Sequence, residues 1–307
     1  PLESKDELAI IRAWVDEYID NFQPLGRYET DLTVMDVCRN NNLSDLLVKG
    51  LTQVLEEQPY LKGGWAILGL AYYTLYQHEQ AIEACDFALA IDEHDVSAML
   101  TRAYSHSSLN QREEACKYFS LYMAEPGIEQ MQGIPFADNL ARLHRNEEAN
   151  KYLVLGISSL LEEYEGHVFG TDDYSKRYSQ ALFDASTVYQ VLERYEDAER
   201  CMTYILDIDP HNSEALFVKG SMLLAQKKST EALECYGNAI DKAEDYVAMA
   251  IDVALTLVMN SYEDLALEMI NAIDKLNGSL PQASFNSGSI KNLSAVKAFT
   301  YLKLGDT

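Results

Sequence analysis

The sequence predicts an all-α protein built as an α-solenoid, a stack of about seven to eight helical hairpins, and three observations carry that prediction. Alanines recur at Ala81, Ala115 and Ala149 and again at Ala198, Ala232 and Ala266, in four steps of 34 residues and one of 49, which is 34 plus 15. With alanine at roughly one position in ten, four such coincidences arise by chance about once in ten thousand trials. When each repeat is counted from nineteen residues before its alanine, the eighth residue is Met35, Gly69, Ala103, Ala137, Ser186, Gly220, Ala254 and Ala298, small in seven of eight. A small residue at a fixed place in one helix, facing an alanine in the next, lets two antiparallel helices approach closely. Each repeat also holds two stretches with apolar side chains three and four residues apart, such as Leu216, Val218, Met222 and Leu223 followed by Ala232, Leu233, Tyr236 and Ile240. That is the period of an amphipathic helix, and strand-like alternation is nowhere sustained.

The elements follow in order. Residues 1–27 are expected to form an N-terminal amphipathic capping helix: Ser4 and Glu7 make a capping box, and Leu8, Ile11, Trp14, Val15, Tyr18, Ile19 and Phe22 share one helical face. Such a face covers the open end of the first repeat, or makes a dimer contact, or mimics a bound partner. Residues 28–163 hold four repeats starting at Tyr28, Lys62, Val96 and Gln130. The segment 164–178 is an insertion, either a contact loop with exposed aromatics or a longer helix pair with a wider connector. Residues 179–280 hold repeats five to seven, starting at Ser179, Ser213 and Val247; residues 281–290, rich in Ser, Asn and Gly, form a linker, and 291–307 a partial terminal repeat. Clusters of Asp, Pro and Asn, as in residues 207–213, mark the joins. Pro1 at one end, and a first helix without its partner before Leu304-Gly305-Asp306-Thr307 at the other, are what a chain trimmed at both ends would show.

These residues resemble the tetratricopeptide repeat (TPR) family. The likeness is carried by Trp65, Leu68, Gly69, Tyr72, Ala81 and Ala88 in the second repeat and by Leu182, Ser186, Tyr189, Ala198 and Pro210 in the fifth, and the register covers residues 28 to 304. The first repeat departs from it, with Met35 at the small position and Leu47 in place of the alanine. The resemblance implies TPR-like hairpins coiled into a right-handed superhelix, with a concave groove lined by the first helices.

Composition narrows the function. The chain has 307 residues, 48% of them hydrophobic, with 24 basic and 49 acidic side chains for a net charge of −25. That charge opposes binding to nucleic acid or to anionic membranes, and no apolar run approaches the roughly 20 residues a spanning helix needs. Five scattered cysteines, Cys38, Cys85, Cys116, Cys201 and Cys235, include no Cys-x-x-Cys pair, which fits free thiols in a cytoplasmic, reducing setting. Cys38 and Cys85 fall at core positions as inert packing. No metal-ligand, phosphate-cradling or nucleophile motif occurs, so no catalytic residue, metal or cofactor is expected. The histidines lie scattered, His78 and His94 among them at inter-helix turns where solvated imidazoles are expected, and the pairs Glu56-Glu57 and Glu162-Glu163 are solvated helix ends.

The informative surface is the stripe at positions 2, 5, 9 and 12 of each first helix, which in TPR proteins lines the groove. Of its 24 residues in the six central repeats only Asp138 and Glu214 are charged, where the chain's 24% would place about six. We expect a non-catalytic interaction module, a chaperone, adaptor or scaffold, that binds a protein or peptide segment with apolar anchors. Its candidate groove residues are Leu70, Tyr73, Leu100, Tyr104, Ile134, Asp138, Phe183, Thr187, Gln190, Phe217 and Leu224. The alternative for the stripe is self-packed core. The alternative for the chain is a regulatory or sensory TPR domain of a larger protein such as a transcription regulator. At the level of fold alone it is similar to bacterial chaperones that hold apolar segments of secreted proteins. The stripe lacks the Lys, Arg and Asn of TPR clamps for heat-shock carboxylates and the asparagine ladder of TPR-bearing sugar transferases. A homodimer through the N-terminal helix remains a further expected arrangement.

Overall fold

The alanines that set the repeat are among the most deeply buried residues of the structure: Ala81, Ala115, Ala149, Ala198, Ala232 and Ala266 have no solvent exposure. The structure is a computed structural model and describes residues 44–61, 63–128, 130–165 and 172–279, with 296, 297, 300, 301 and 303. The expected capping helix, Met35, Cys38 and the 281–290 linker lie outside the described residues. The chain divides between Glu165 and Gly166 into two compact bodies. The N-terminal body contains α1 (Ser44–Glu57), α2 (Gly64–Thr74), α3 (His78–Ile91), α4 (Val96–Ser108), α5 (Arg112–Ala124), a 3-10 turn (Gln130–Gln132), α6 (Gly133–Arg142) and α7 (Asn146–Glu165). The C-terminal body contains α8 (Asp172–Val191), α9 (Tyr195–Ile208), α10 (Ser213–Ala225), α11 (Ser229–Lys242), α12 (Tyr246–Met259) and α13 (Glu263–Ser279). No strand occurs among the described residues.

Within each body the hairpins stack. The first and second helix of each repeat pack together, as α2 on α3, α4 on α5 and α6 on α7, or α8 on α9, α10 on α11 and α12 on α13. Each second helix then packs on the next first helix, α3 on α4 and α5 on α6, or α9 on α10 and α11 on α12. Neighbour-only contacts of this kind define a solenoid. The hairpin seam follows the predicted register. Gly69, Ala103, Ala137, Ser186, Gly220 and Ala254 are all buried, and a Cβ on Gly69 would meet Cys85 Sγ at 2.7 Å and the Ala81 carbonyl oxygen at 3.2 Å. The closest approach was not apparent from the alanine register. A Cβ on Gly133, at the start of α6, would lie 2.4 Å from the Tyr152 carbonyl oxygen of α7, so the two backbones touch there and only glycine fits.

Each joint has its own chemistry. Asp95, Asn212 and Asp245 cap α4, α10 and α12 by accepting, at 2.9 Å each, from the amides of Ala98, Ala215 and Ala248. Every described hairpin turn passes through a left-handed residue, Tyr76, Asn110, His144, Glu193, Lys227 or Ser261, with φ between 57° and 66°. The next amide then closes on the carbonyl five residues back, as Gln77 on Tyr72 and Lys228 on Leu223, both at 2.9 Å. This Schellman closure usually uses glycine, and none of these six residues is one. The fifteen extra residues between Ala149 and Ala198 go largely into length: α7 and α8 run 20 residues each, against 10 to 14 in α2 to α6. Tyr178, one of the aromatics of that insertion, is buried in α8.

Candidate functional site

The side of the first helices that carries the stripe, here termed the inner face, is built in the N-terminal body by the last turns of α2 and α4 and by α6 with the 3-10 turn before it. Position 5 contributes nothing to its surface. Leu100 and Ile134 are buried there, as is Leu70 at position 9, so these three expected groove residues are core. The reason is geometric: α2, with Leu70, packs directly on α4, with Leu100, and Ile134 lies against Gly156 of α7, so neighbouring helices cover side chains that repeat counting alone would leave open. The self-packed alternative therefore holds for part of the stripe.

What stays open is aromatic and polar. Tyr73 and Tyr104, on successive first helices, are half-buried with ring centroids 6.0 Å apart, and Tyr104 stacks edge-on against Phe119 at 5.4 Å. The Tyr104 hydroxyl donates to Gln132 Oε1 at 2.6 Å. Burial pushes the Tyr73 phenol above its ordinary pKa, opposed by its hydrogen bond with Ser108, so at neutral pH it is a proton donor. Asp138 is half-buried and held between two arginines: Arg142 Nε donates to its carboxylate at 2.8 and 3.0 Å, and the Arg112 guanidinium stands 3.6 Å away. Arg112 and the Ser107 hydroxyl also donate to Asn139 Oδ1, at 3.2 and 3.1 Å. Arg112 comes from the second helix of its repeat, outside the stripe on which the groove was defined, and this is why the reading of the stripe missed it. His78 occupies the same repeat position one hairpin earlier and was expected as a solvated turn residue. It is half-buried beside the rings of Tyr73 and Tyr76, with centroids 5.5 and 6.3 Å away, and its Nδ1 has no hydrogen-bond partner among the described residues.

The inner face of the C-terminal body differs. Phe183 and Phe217 at position 5 are only half-buried, Thr187 is exposed and Gln190 half-buried, while Leu224 is core. Phe217 lies against Tyr236 at 5.8 Å, and the Thr187 hydroxyl donates to the Phe183 carbonyl at 3.1 Å. Phe183, Thr187, Gln190 and Phe217 thus keep accessible surface on the first helices of this body.

Among the described residues no group of three or more His, Cys, Asp or Glu side chains is placed to hold a metal, and no described helix is long and apolar enough to cross a membrane. The described cysteines are free thiols; burial pushes Cys116 up to about 11 and Cys201 up to about 12, and raises Cys85 further still. They are protonated, weakly nucleophilic packing residues at neutral pH. His106 is buried, with Nδ1–H donating to Gln111 Oε1 at 2.6 Å, and burial lowers its pKa. His94 is exposed and bonds Glu125 at 2.8 Å, which raises its pKa.

No protein-family model matches the chain, and no curated protein matches it in sequence. Solved structures match it in fold. A tetratricopeptide repeat protein from Parabacteroides merdae aligns with a TM-score of 0.55 at 14% identity, over 88% of this chain and 98% of that one. The C-terminal part of a TPR repeat-containing protein from Cytophaga hutchinsonii aligns with a TM-score of 0.56 at 14% identity, over 85% and 98%. The Cut9–Hcn1 hetero-tetramer of the APC/C aligns with a TM-score of 0.53 at 15% identity, over 94% of this chain and 52% of that one. With 34-residue hairpins, a buried seam of small residues and neighbour-only helix packing already established, the chain has the fold of the tetratricopeptide repeat proteins.

Proposed function

We propose that the protein is a non-catalytic interaction module, an adaptor, scaffold or chaperone of the cytoplasm, that holds a segment of a partner protein against the inner faces of its first helices. One observation carries this reading: aromatic side chains on successive first helices, Tyr73 with Tyr104 and Phe183 with Phe217, keep accessible surface although Leu70, Leu100, Ile134 and Leu224 of the same stripe are buried. Half-buried aromatics on a rigid scaffold anchor a partner at low entropic cost. Around Tyr104, the half-buried Ser107 hydroxyl and Arg112–Asp138 pair supply directional contacts for a peptide backbone, and the buried Asn139 holds Ser107 and Arg112 in place. The net charge of −25 speaks for a protein partner and against nucleic acid or an anionic membrane.

The test is capture from the native source by the parent chain and by Tyr104→Ala and Thr187→Glu, with peptide arrays of any captured protein to locate a linear segment. The proposal expects a partner retained by the parent, lost from the variant of the body that holds it, and bound through one short segment, with far-UV circular dichroism unchanged. Capture indifferent to both substitutions would remove the inner faces as the binding site.

A further inference from the structure

We propose a second interaction surface on the N-terminal body: the outer face of α3, α5 and α7, which fits a basic amphipathic helix of a partner protein. Single exposed apolar side chains are ordinary on protein surfaces. Here they repeat. Phe87, Leu121 and Leu155 stand 34 residues apart at the same place in three consecutive second helices and are 56%, 45% and 37% exposed, with Val154 beside them at 45%. Phe87 is also held in place, stacked on Trp65 with ring centroids 4.7 Å apart. One helical turn further on, each large residue is followed by an exposed small one, Ala90, Ala124 or Ser158, which leaves a shallow recess along the row. In the C-terminal body the same position holds Tyr204, half-buried, and Asn238, so the apolar row belongs to the N-terminal body.

The occupant follows from spacing and charge. A helical partner repeats an anchor every seven residues at about 10.5 Å, so leucines at i, i+7 and i+14 offer one apolar side chain to each of the three helices in turn. The N-terminal ends of the same three helices carry exposed Glu79 and Glu83, Glu113 and Glu114, and Glu147 and Glu148. Lys117 offsets Glu114, and Arg145 and the exposed Lys151 offset Glu148, while Glu79, Glu83, Glu113 and Glu147 hold no ion pair among the described residues, so the edge keeps a net negative charge. Acidic first turns favour the helix dipole, and together they form an acidic border along one edge of the apolar row. A partner helix with Lys or Arg on the matching edge is attracted to it. A second copy of this chain, at −25, is repelled, as is the chain's own segment 4–22, with five acidic and two basic residues.

The probe is a fluorescein-labelled 18-residue peptide with leucine at positions 2, 9 and 16, lysines along one flank and alanine and glutamine elsewhere. Its control is a scrambled peptide of identical composition, and anisotropy is read with the whole chain. The proposal expects micromolar binding of the patterned peptide, at least tenfold weaker binding of the scrambled one, at least tenfold loss in Leu121→Glu, and loss on raising the salt. Tyr104→Ala should leave binding unchanged, which separates this surface from the inner face. Should Leu121→Glu lose helicity, the surface change Leu155→Gln, with an expected fivefold loss, decides in its place. Equal binding of both peptides, no binding below 100 µM, or indifference to these substitutions overturns the proposal. So does peptide-free dimerisation in sedimentation that Leu121→Glu abolishes, which assigns the row to a second copy, or displacement of the probe by a peptide of residues 4–22, which assigns it to the chain's own segment.

Discussion

The two bodies share one repeat and spend their apolar side chains differently. In the N-terminal body position 5 of the stripe is closed, with Ala66, Leu100 and Ile134 buried, and apolar surface appears on the outside at Phe87, Leu121 and Leu155. In the C-terminal body Ile251 is buried but Phe183 and Phe217 at position 5 stay half-open, and the outer position passes to Tyr204 and Asn238. The same 34-residue register therefore yields two surfaces. The difference arises where α2 lies directly on α4, a contact without a comparable counterpart between α8 and α10 among the described residues. A repeat position thus has no fixed exposure; the neighbouring hairpin sets it.

The largest expected effect tests the tightest joint. Gly133→Ala places a methyl 2.4 Å from a backbone oxygen that has no side-chain freedom to yield, and it should destabilise the protein by about 3 kcal/mol. A denaturant midpoint equal to that of the parent would show that α6 and α7 are further apart than described. Next come the position-5 residues themselves. Leu100→Ala empties a fully buried site and should cost about 3 kcal/mol, whereas Phe217→Ala, at a half-open site, should cost about 1.5 kcal/mol. Equal losses would erase the contrast between the bodies.

Smaller effects sharpen it. Tyr76→Gly in the N-terminal body and Lys227→Gly in the C-terminal body relieve left-handed backbone at equivalent turns, and each should raise stability by about 0.5–1 kcal/mol. A gain at only one turn would mean that Tyr76, whose ring faces His78, or Lys227 is kept in place by its side chain. The smallest effects are titrations followed by NMR. His94 should titrate above 6.5 and return towards it in Glu125→Gln, while His106 should titrate below 6.5. The signs are opposite. The raised His94 favours folding below the unfolded pKa near 6.5, and that contribution fades as pH rises through its folded pKa. The lowered His106 favours folding above 6.5, and its contribution fades as pH falls through its folded pKa. Both histidines titrating together would contradict the burial described for His106.

The sequence by itself determined the all-α class, the 34-residue hairpin, the seam of small residues and the absence of a recognisable catalytic motif. These rest on local periodicity: an alanine every 34 residues and apolar positions three and four apart can be satisfied by helical hairpins whatever surrounds them. It also identified Tyr73, Tyr104, Phe183 and Phe217 as members of one stripe. Tertiary structure decided which members stay accessible, because the exposure of Leu70, Leu100 or Phe217 depends on how closely the next hairpin approaches, a distance that no side-chain period encodes. It brought Arg112 across to Asp138 from another helix, and it left Phe87, Leu121 and Leu155 facing outward, where an apolar residue in a helical pattern looks the same as one in the core. Burial is a property of neighbours far apart in the chain, and for that reason the hairpins could be read from the sequence while their surfaces could not.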